Sequence, residues 1–154
     1  MTTFTQHRHL NFSAEQLFDL AADVERFPEF MPWVTESHVR HRKDRSIVVD
    51  MTIAAGPLRR RFSSAGALDR PHRIDITSND PIFSRFAQRW RFEPAADSGT
   101  NVDYQVDVEL RSRVLQMLLR ASFGELAETT MAAFTRRAHQ LYGAHSSQPR
   151  SNKA

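Results

Sequence analysis

The segment VDYQVDVEL, residues 102–110, alternates apolar and polar side chains along its whole length. Successive side chains of a β-strand point to opposite faces of the sheet, so this pattern predicts a strand with one buried and one solvated face. Such a strand is typical of antiparallel sheets, because strands of parallel sheets are usually buried on both faces. The predicted inward residues are Val102, Tyr104, Val106, Val108 and Leu110.

Similar alternation precedes this strand in SIVVDMTI (46–53), RIDIT (73–77) and QRWRFE (88–93). Turn-forming sequences such as PAADSGT (94–100) separate the segments. Strands joined by short turns form consecutive hairpins, so the sequence predicts a meander of about six strands. Residues 3–10 are a further candidate strand, although their alternation is weaker.

A helical periodicity follows the last strand. Between residues 113 and 142 apolar residues recur at intervals of three and four, which predicts a single helix of about 30 residues and about 45 Å. Gly143 is suited to end this helix. Residues 144–154 are polar and are expected to form a flexible tail, so residues 1–143 are interpreted as one domain.

Two short helices are predicted between the first strand and the meander. Ser13 and Gln16 have the spacing of a capping box, which predicts a helix that begins near Ser13 and ends before Phe27. Pro28 suits the first position of a second helix, because its missing N–H does no harm there. Pro32 then ends that helix within about one turn.

We call residues 23–34, DVERFPEFMPWV, the elbow. Regular structure must break at its prolines, yet it carries the large apolar side chains of Phe27, Phe30, Met31 and Trp33. One interpretation is a lid over one end of the gap between helix and sheet. The other is an ordinary corner that plugs the core. The lid is the favoured interpretation.

The elements combine into an α+β fold. It consists of a curved antiparallel sheet of six to seven strands wrapped around a long C-terminal helix, with two short helices after the first strand. A curved sheet and a straight helix cannot pack against each other along their whole length. The gap between them predicts a mostly apolar ligand pocket.

Three segments carry a family resemblance: SAEQLFDLAADVERFPEFMPW (13–33), the W-x-F-x-P motif of Trp90–Pro94, and FGELAETTMAAFTRRAHQLY (123–142). Over residues 3–142 the chain resembles the START-like, or helix-grip, superfamily. More specifically, it is similar to the coenzyme Q-binding and polyketide cyclase/dehydrase-like branch, which also includes proteins described as ribosome-association toxins. The resemblance implies that a hydrophobic molecule, typically a polyprenyl quinone, binds between sheet and helix.

The chain departs from this branch at one point. Members often have a small residue or a cysteine near positions 33–34, where this chain has Trp33 and Val34. The larger side chains are expected to narrow the cavity mouth or to alter its ligand preference.

The composition excludes several classes of protein. Cysteine is absent from the 154 residues, which excludes disulfides, thiolate nucleophiles and cysteine-based zinc sites. No apolar run approaches the roughly 18 residues of a transmembrane helix, and the N-terminus lacks the order of a secretory signal. A cytoplasmic protein is expected, with transient contact at the inner face of the membrane as an open alternative.

The formal net charge is +3, and basic residues cluster at positions 40–45 and 59–61. One interpretation is that these clusters bind a ribosome, nucleic acid or anionic lipid. The other is that they form an ordinary solvent-exposed face. The solvated face is favoured, because no aromatic residues interleave the arginines as in RNA-binding motifs. No DNA partner is expected.

The predicted inner face is poor in catalytic groups. The chain contains no nucleophile elbow, zinc-protease helix motif or phosphate loop. His7 and His9 could share a strand face, but no third metal ligand has suitable spacing. Arg60 shares an inward phase with Phe62 and Ser64 and could donate to a ligand carbonyl, or its stem packs while its guanidinium group reaches solvent. The sequence therefore predicts no catalytic residue, no metal site and no cofactor other than a bound lipid such as ubiquinone.

The favoured function is a non-catalytic carrier or chaperone for a polyprenyl quinone, supporting respiratory electron transport or quinone biosynthesis. A polyketide cyclase or aromatase, and a ribosome-associated factor that inhibits subunit association, remain as alternatives. Twelve ligand-binding residues are predicted: Phe27, Phe30, Met31, Trp33, Arg60, Phe62, Ile76, Phe83, Trp90, Phe123, Met131 and Phe134.

Overall fold

The computed structural model describes residues 2–55 and 58–143, so the predicted polar tail (144–154) lies outside the described residues. The described chain contains seven strands. They are β1 (Thr2–Leu10), β2 (Val34–Lys43), β3 (Ser46–Ala55), β4 (Leu58–Asp69), β5 (Arg73–Thr77), β6 (Phe83–Pro94) and β7 (Thr100–Leu110).

The strands form one antiparallel sheet in the order β1-β7-β6-β5-β4-β3-β2. Strands β2 to β7 are the predicted meander, and the N-terminal segment is the seventh strand, paired with β7. In the register of β6 and β7, Trp90 lies opposite Tyr104 and Phe92 opposite Val102. This register places large apolar side chains on the same face, where the core forms.

Irregularities in two strands interrupt the regular hydrogen-bonded pairing with their neighbours. Strand β2 changes register between Val34 and Glu36 and between Val39 and His41, and β6 does so between Phe83 and Arg85. Bulges of this kind bend a strand and increase its twist. They help the sheet to curve around the helix.

The chain has two α-helices, α1 (Ala14–Ala22) and α2 (Arg113–Ala138), in its described part. The predicted capping box of α1 is present, with Ser13 and Gln16 bonded reciprocally. A π-helical turn (His139–Gly143) continues α2 to the predicted end point. No helix in the described chain is both long and apolar enough to span a bilayer.

The second short helix differs from its prediction. It is a 3₁₀ helix over Val24–Glu29, and Pro28 lies inside it rather than at its first position. Such a helix is only one or two turns long, so the missing N–H of one proline removes little hydrogen bonding. The helix ends at Glu29 with Phe30 as its C-cap, before the end point predicted from Pro32.

The most completely buried part of the core lies beneath the C-terminal half of α2. Phe134 is fully buried, with its ring centroid 4.8 Å from that of Trp90, and Phe18 of α1 meets Phe92 at 5.9 Å. This end of the helix is in direct contact with the sheet. The separation between helix and sheet therefore falls beside the more N-terminal turns of α2.

Candidate functional site

A cavity lies between the concave face of the sheet, the elbow and α2. It contains about 1160 Å³ of space not occupied by protein atoms, which includes open solvent at its mouth; about 120 Å³ admits the centre of a water molecule. Strands β3–β7 supply one wall and Leu119, Phe123 and Thr130 of α2 supply the other. Most of the lining is aliphatic or aromatic.

Eight of the twelve predicted residues line this cavity: Phe27, Met31, Trp33, Phe62, Ile76, Phe83, Trp90 and Phe123. The structure thus brings together side chains from the elbow, three strands and the long helix. Other lining residues were not in the predicted set, among them Ser64, Gln88 and Tyr104. These three bring polar groups to a mostly apolar lining.

Phe30, Met131 and Phe134 lie outside the lining. Met131 and Phe134 are fully buried core residues, because they lie on the helical turns that pack directly on the sheet. Phe30 is half-buried on the outer side of the elbow, edge-on to Phe27 at 5.6 Å, with the guanidinium carbon of Arg137 5.0 Å above its ring.

Arg60 also lies outside the lining. It shares the inward phase of Phe62, but its Nη2 atom lies 2.8 Å from an Asp80 carboxylate oxygen in the β5–β6 loop. Burial alone would raise the pKa of Asp80, but the backbone N–H of Ile82 and the Arg60 guanidinium outweigh it, so that this pKa is lowered. The charge of Arg60 is therefore balanced within the protein.

Two polar contacts join the elbow to α2. The indole N–H of Trp33 donates to the Thr130 hydroxyl at 2.8 Å, and that hydroxyl donates to the Leu126 carbonyl. Arg137 of α2 forms an ion pair with Glu29 at 2.6 Å. These contacts close the elbow over the cavity. Its buried residues act as a corner of the core, whereas Trp33 is only half-buried and faces the cavity.

A polar cluster lies on the floor of the cavity. The Gln88 amide donates to the Tyr104 hydroxyl at 3.0 Å and accepts from the Trp90 indole at 3.4 Å. Burial raises the pKa of Tyr104 well above its ordinary value, an effect that the Gln88 hydrogen bond only partly opposes. Tyr104 is therefore a neutral donor, and its hydroxyl hydrogen has no acceptor among the described residues.

Strand phase could have revealed this cluster. Gln88 lies between Phe86 and Trp90 in the inward phase of β6, where an uncharged polar residue interrupts an apolar series. Tyr104 lies at an inward position of β7. What the sequence does not show is that the two side chains meet.

The fold and cavity agree with a match to a known family. The sequence profile described as polyketide cyclase / dehydrase and lipid transport matches residues 10–135. The chain belongs to this family. The match covers β2 to β7, the elbow and most of α2, so the elements that enclose the cavity are those of the family.

Relatives within the family differ in their described roles. The chain is 30% identical over 134 residues to the ribosome association toxin RatA of Vibrio cholerae, which covers 87% of this chain and 93% of the toxin. It is 26% identical over 144 residues to the mitochondrial coenzyme Q-binding protein COQ10 homolog B of Xenopus laevis, which covers 91% of this chain and 59% of that protein.

A solved structure confirms the fold of this family member. A START superfamily protein from Mycobacterium smegmatis has a TM-score of 0.77 at 19% identity, covering 90% of this chain and 98% of that one. The predicted helix-grip architecture is therefore confirmed. So is the predicted membership of the START-like superfamily and its polyketide cyclase/dehydrase branch.

Proposed function

We propose that this chain binds a hydrophobic small molecule of the polyprenyl quinone class and holds or delivers it without chemical conversion. The observation that carries the proposal is an apolar cavity in which the neutral Tyr104 hydroxyl is available as a donor. A quinone has the complementary chemistry, because its head group carries carbonyl acceptors and its tail is apolar. The site of action we propose is the cytoplasm, at the inner face of the membrane during ligand exchange.

The lining of the cavity supports a ligand of this kind. Small-molecule sites are mostly apolar with a few placed polar groups, and this cavity has aliphatic and aromatic walls that also carry Gln88 and Tyr104. Burial of an isoprenoid tail gains about 25 cal/mol per Å² of apolar surface. Affinity for a quinone head group and its first isoprene units therefore requires no catalytic group, and a longer tail extends through the mouth.

The lining favours binding over a cyclase reaction. Among the described lining residues there is no carboxylate, imidazole or guanidinium group. The raised pKa of Tyr104 makes it a poor general base, although it remains a hydrogen-bond donor. A ribosome-associated function is the second candidate, and the 30% identity to RatA over most of the chain supports it.

The test is native mass spectrometry, with solvent extraction, of the protein purified from its own host. We expect a stoichiometric complex with a quinone that extraction releases. Copurification with a ribosomal subunit, without lipid in the extract and without saturable quinone binding in vitro, would contradict the proposal and favour the second candidate.

Tyr104→Phe is expected to weaken binding of a short-tailed ubiquinone by about threefold to tenfold, because one hydrogen bond to the ligand is lost. The measurement is a fluorescence or calorimetric titration. A polyprenyl hydrocarbon without carbonyl groups should bind the variant and the original protein equally. Tyr142→Phe is the matched control, since its hydroxyl donates to the Gln16 carbonyl outside the cavity. Equal loss of quinone and hydrocarbon binding would show that Tyr104 acts through packing alone.

A further inference from the structure

The first turns of α2 expose large apolar side chains. Val114 is 66% exposed, Met117 69% and Leu118 44%. Their spacing of three and four residues places them on one side of the helix. Leu119 and Phe123 belong to the opposite side and line the cavity. These turns are therefore apolar on both sides, and only the inner side is covered by the sheet.

Arginines flank the exposed apolar side chains. Arg111, Arg113 and Arg120 are exposed, and none of them forms an ion pair within residues 2–55 and 58–143. No acidic residue occurs from position 110 to position 124. The charge reverses further along the helix, where Glu125 and Glu128 are exposed. The basic and apolar character is thus confined to the beginning of α2.

We propose that this region binds the surface of an anionic lipid bilayer. We call it the docking face, formed by Val114, Met117 and Leu118 together with Arg113 and Arg120. A helix that lies in a membrane interface buries its apolar side among the acyl chains while arginines meet lipid phosphates. The docking face supplies both components within about two turns.

Other occupants fit the docking face less well. A symmetric contact with a second copy sets the same patch against itself, and would bring unpaired arginines of the two copies together. RNA would use the arginines, but its phosphates and sugars offer no partner for Val114, Met117 and Leu118. A bilayer surface that carries negative head groups is complementary to the charge and to the apolar area together.

Docking in this way has a geometric consequence. The turns that would touch the bilayer carry Leu119 and Phe123 on their inner side, so one wall of the cavity lies directly behind the contact. The β5–β6 loop lies at the same end, since the Arg111 backbone N–H donates to the Ile82 carbonyl. A molecule could then pass between membrane and cavity over a short distance. The docking itself does not depend on what the cavity holds.

The experiment is flotation of the full chain with vesicles that contain no quinone. Vesicles of phosphatidylcholine with phosphatidylglycerol are compared with vesicles of phosphatidylcholine alone, at low and high salt. We expect binding to the anionic vesicles that weakens with salt. Arg113→Gln with Arg120→Gln should reduce the partition coefficient about 30-fold, or about fivefold for each arginine. Met117→Gln with Leu118→Gln should reduce it by about tenfold or more.

Arg136→Gln is the matched control, because Arg136 is another exposed arginine of α2 without an ion pair in the described chain. It should leave flotation within about twofold. Circular dichroism and the melting temperature check that each variant folds. The proposal is overturned if the original protein does not float with anionic vesicles, or if the Met117/Leu118 variant floats equally well. It is also overturned if that variant converts a dimer to a monomer in light scattering, or loses binding to ribosomal subunits instead.

Discussion

Replacing Ala127 by phenylalanine is expected to weaken binding of a short-tailed ubiquinone by about 50- to 100-fold. Ala127 is buried in α2 and lines the cavity, so an added ring would occupy the space of the ligand. A ring that displaces about 100 Å² of ligand contact removes about 2.5 kcal/mol of binding free energy at 25 cal/mol per Å². The measurement is the dissociation constant by calorimetry or fluorescence titration.

The control is the same substitution on the other side of the same helix. Ala132 is exposed, so Ala132→Phe should leave the dissociation constant within about twofold. Thermal unfolding shows whether Ala127→Phe still folds, since overpacking a core costs about 1–3 kcal/mol. Unchanged binding by a folded Ala127→Phe protein would place the ligand site outside this cavity.

Phe134→Ala is expected to lower the free energy of unfolding by about 3–5 kcal/mol. The ring is fully buried against Trp90, so its removal leaves a cavity in the most completely buried part of the core. The measurement is urea-induced unfolding followed by circular dichroism. Ligand affinity, measured where the variant is folded, should change by less than about threefold, because Phe134 does not line the cavity.

Met117→Ala serves as the comparison for stability. Its side chain is 69% exposed, so the free energy of unfolding should change by no more than about 0.5 kcal/mol. A Phe134→Ala variant that keeps its stability but loses its ligand would contradict the assignment of Phe134 to the core. The ring would then belong to the ligand site, as the sequence alone predicted.

The strands could be predicted because one face of the sheet is buried in the protein core and the other face is in contact with water. In β7 each inward residue from Val102 to Leu110 is buried, so the alternation of the sequence directly records the position of the sheet surface. The weak alternation of β1 has a physical reason too. Its outer residue His7 is bonded to Asp103 of β7, and its partly exposed inner face packs Phe4 against Phe123 at the sheet edge.

Parts of the candidate site were less predictable. Helical spacing shows which side of α2 faces the sheet, but not where along its axis the two separate, so Phe123 and Phe134 looked equivalent. Strand phase places Arg60 on the same face of β4 as Phe62, although its side chain lies outside the cavity lining. Its neutralising partner Asp80 is 20 residues away in a loop, and no local pattern shows that contact. The bond between Gln88 and Tyr104 likewise depends on strand register.

The pairing of β1 with β7 has a consequence for biosynthesis. Strand β1 is the first to be translated, and its strand partner is the last, with Thr2 opposite Val108 and Leu10 opposite Thr100. Strand β1 therefore cannot pair until residues 100–110 have been synthesised, and contacts so distant in sequence slow folding. Until α2, which follows β7 in the chain, is also available, the apolar face of the nascent meander stays uncovered.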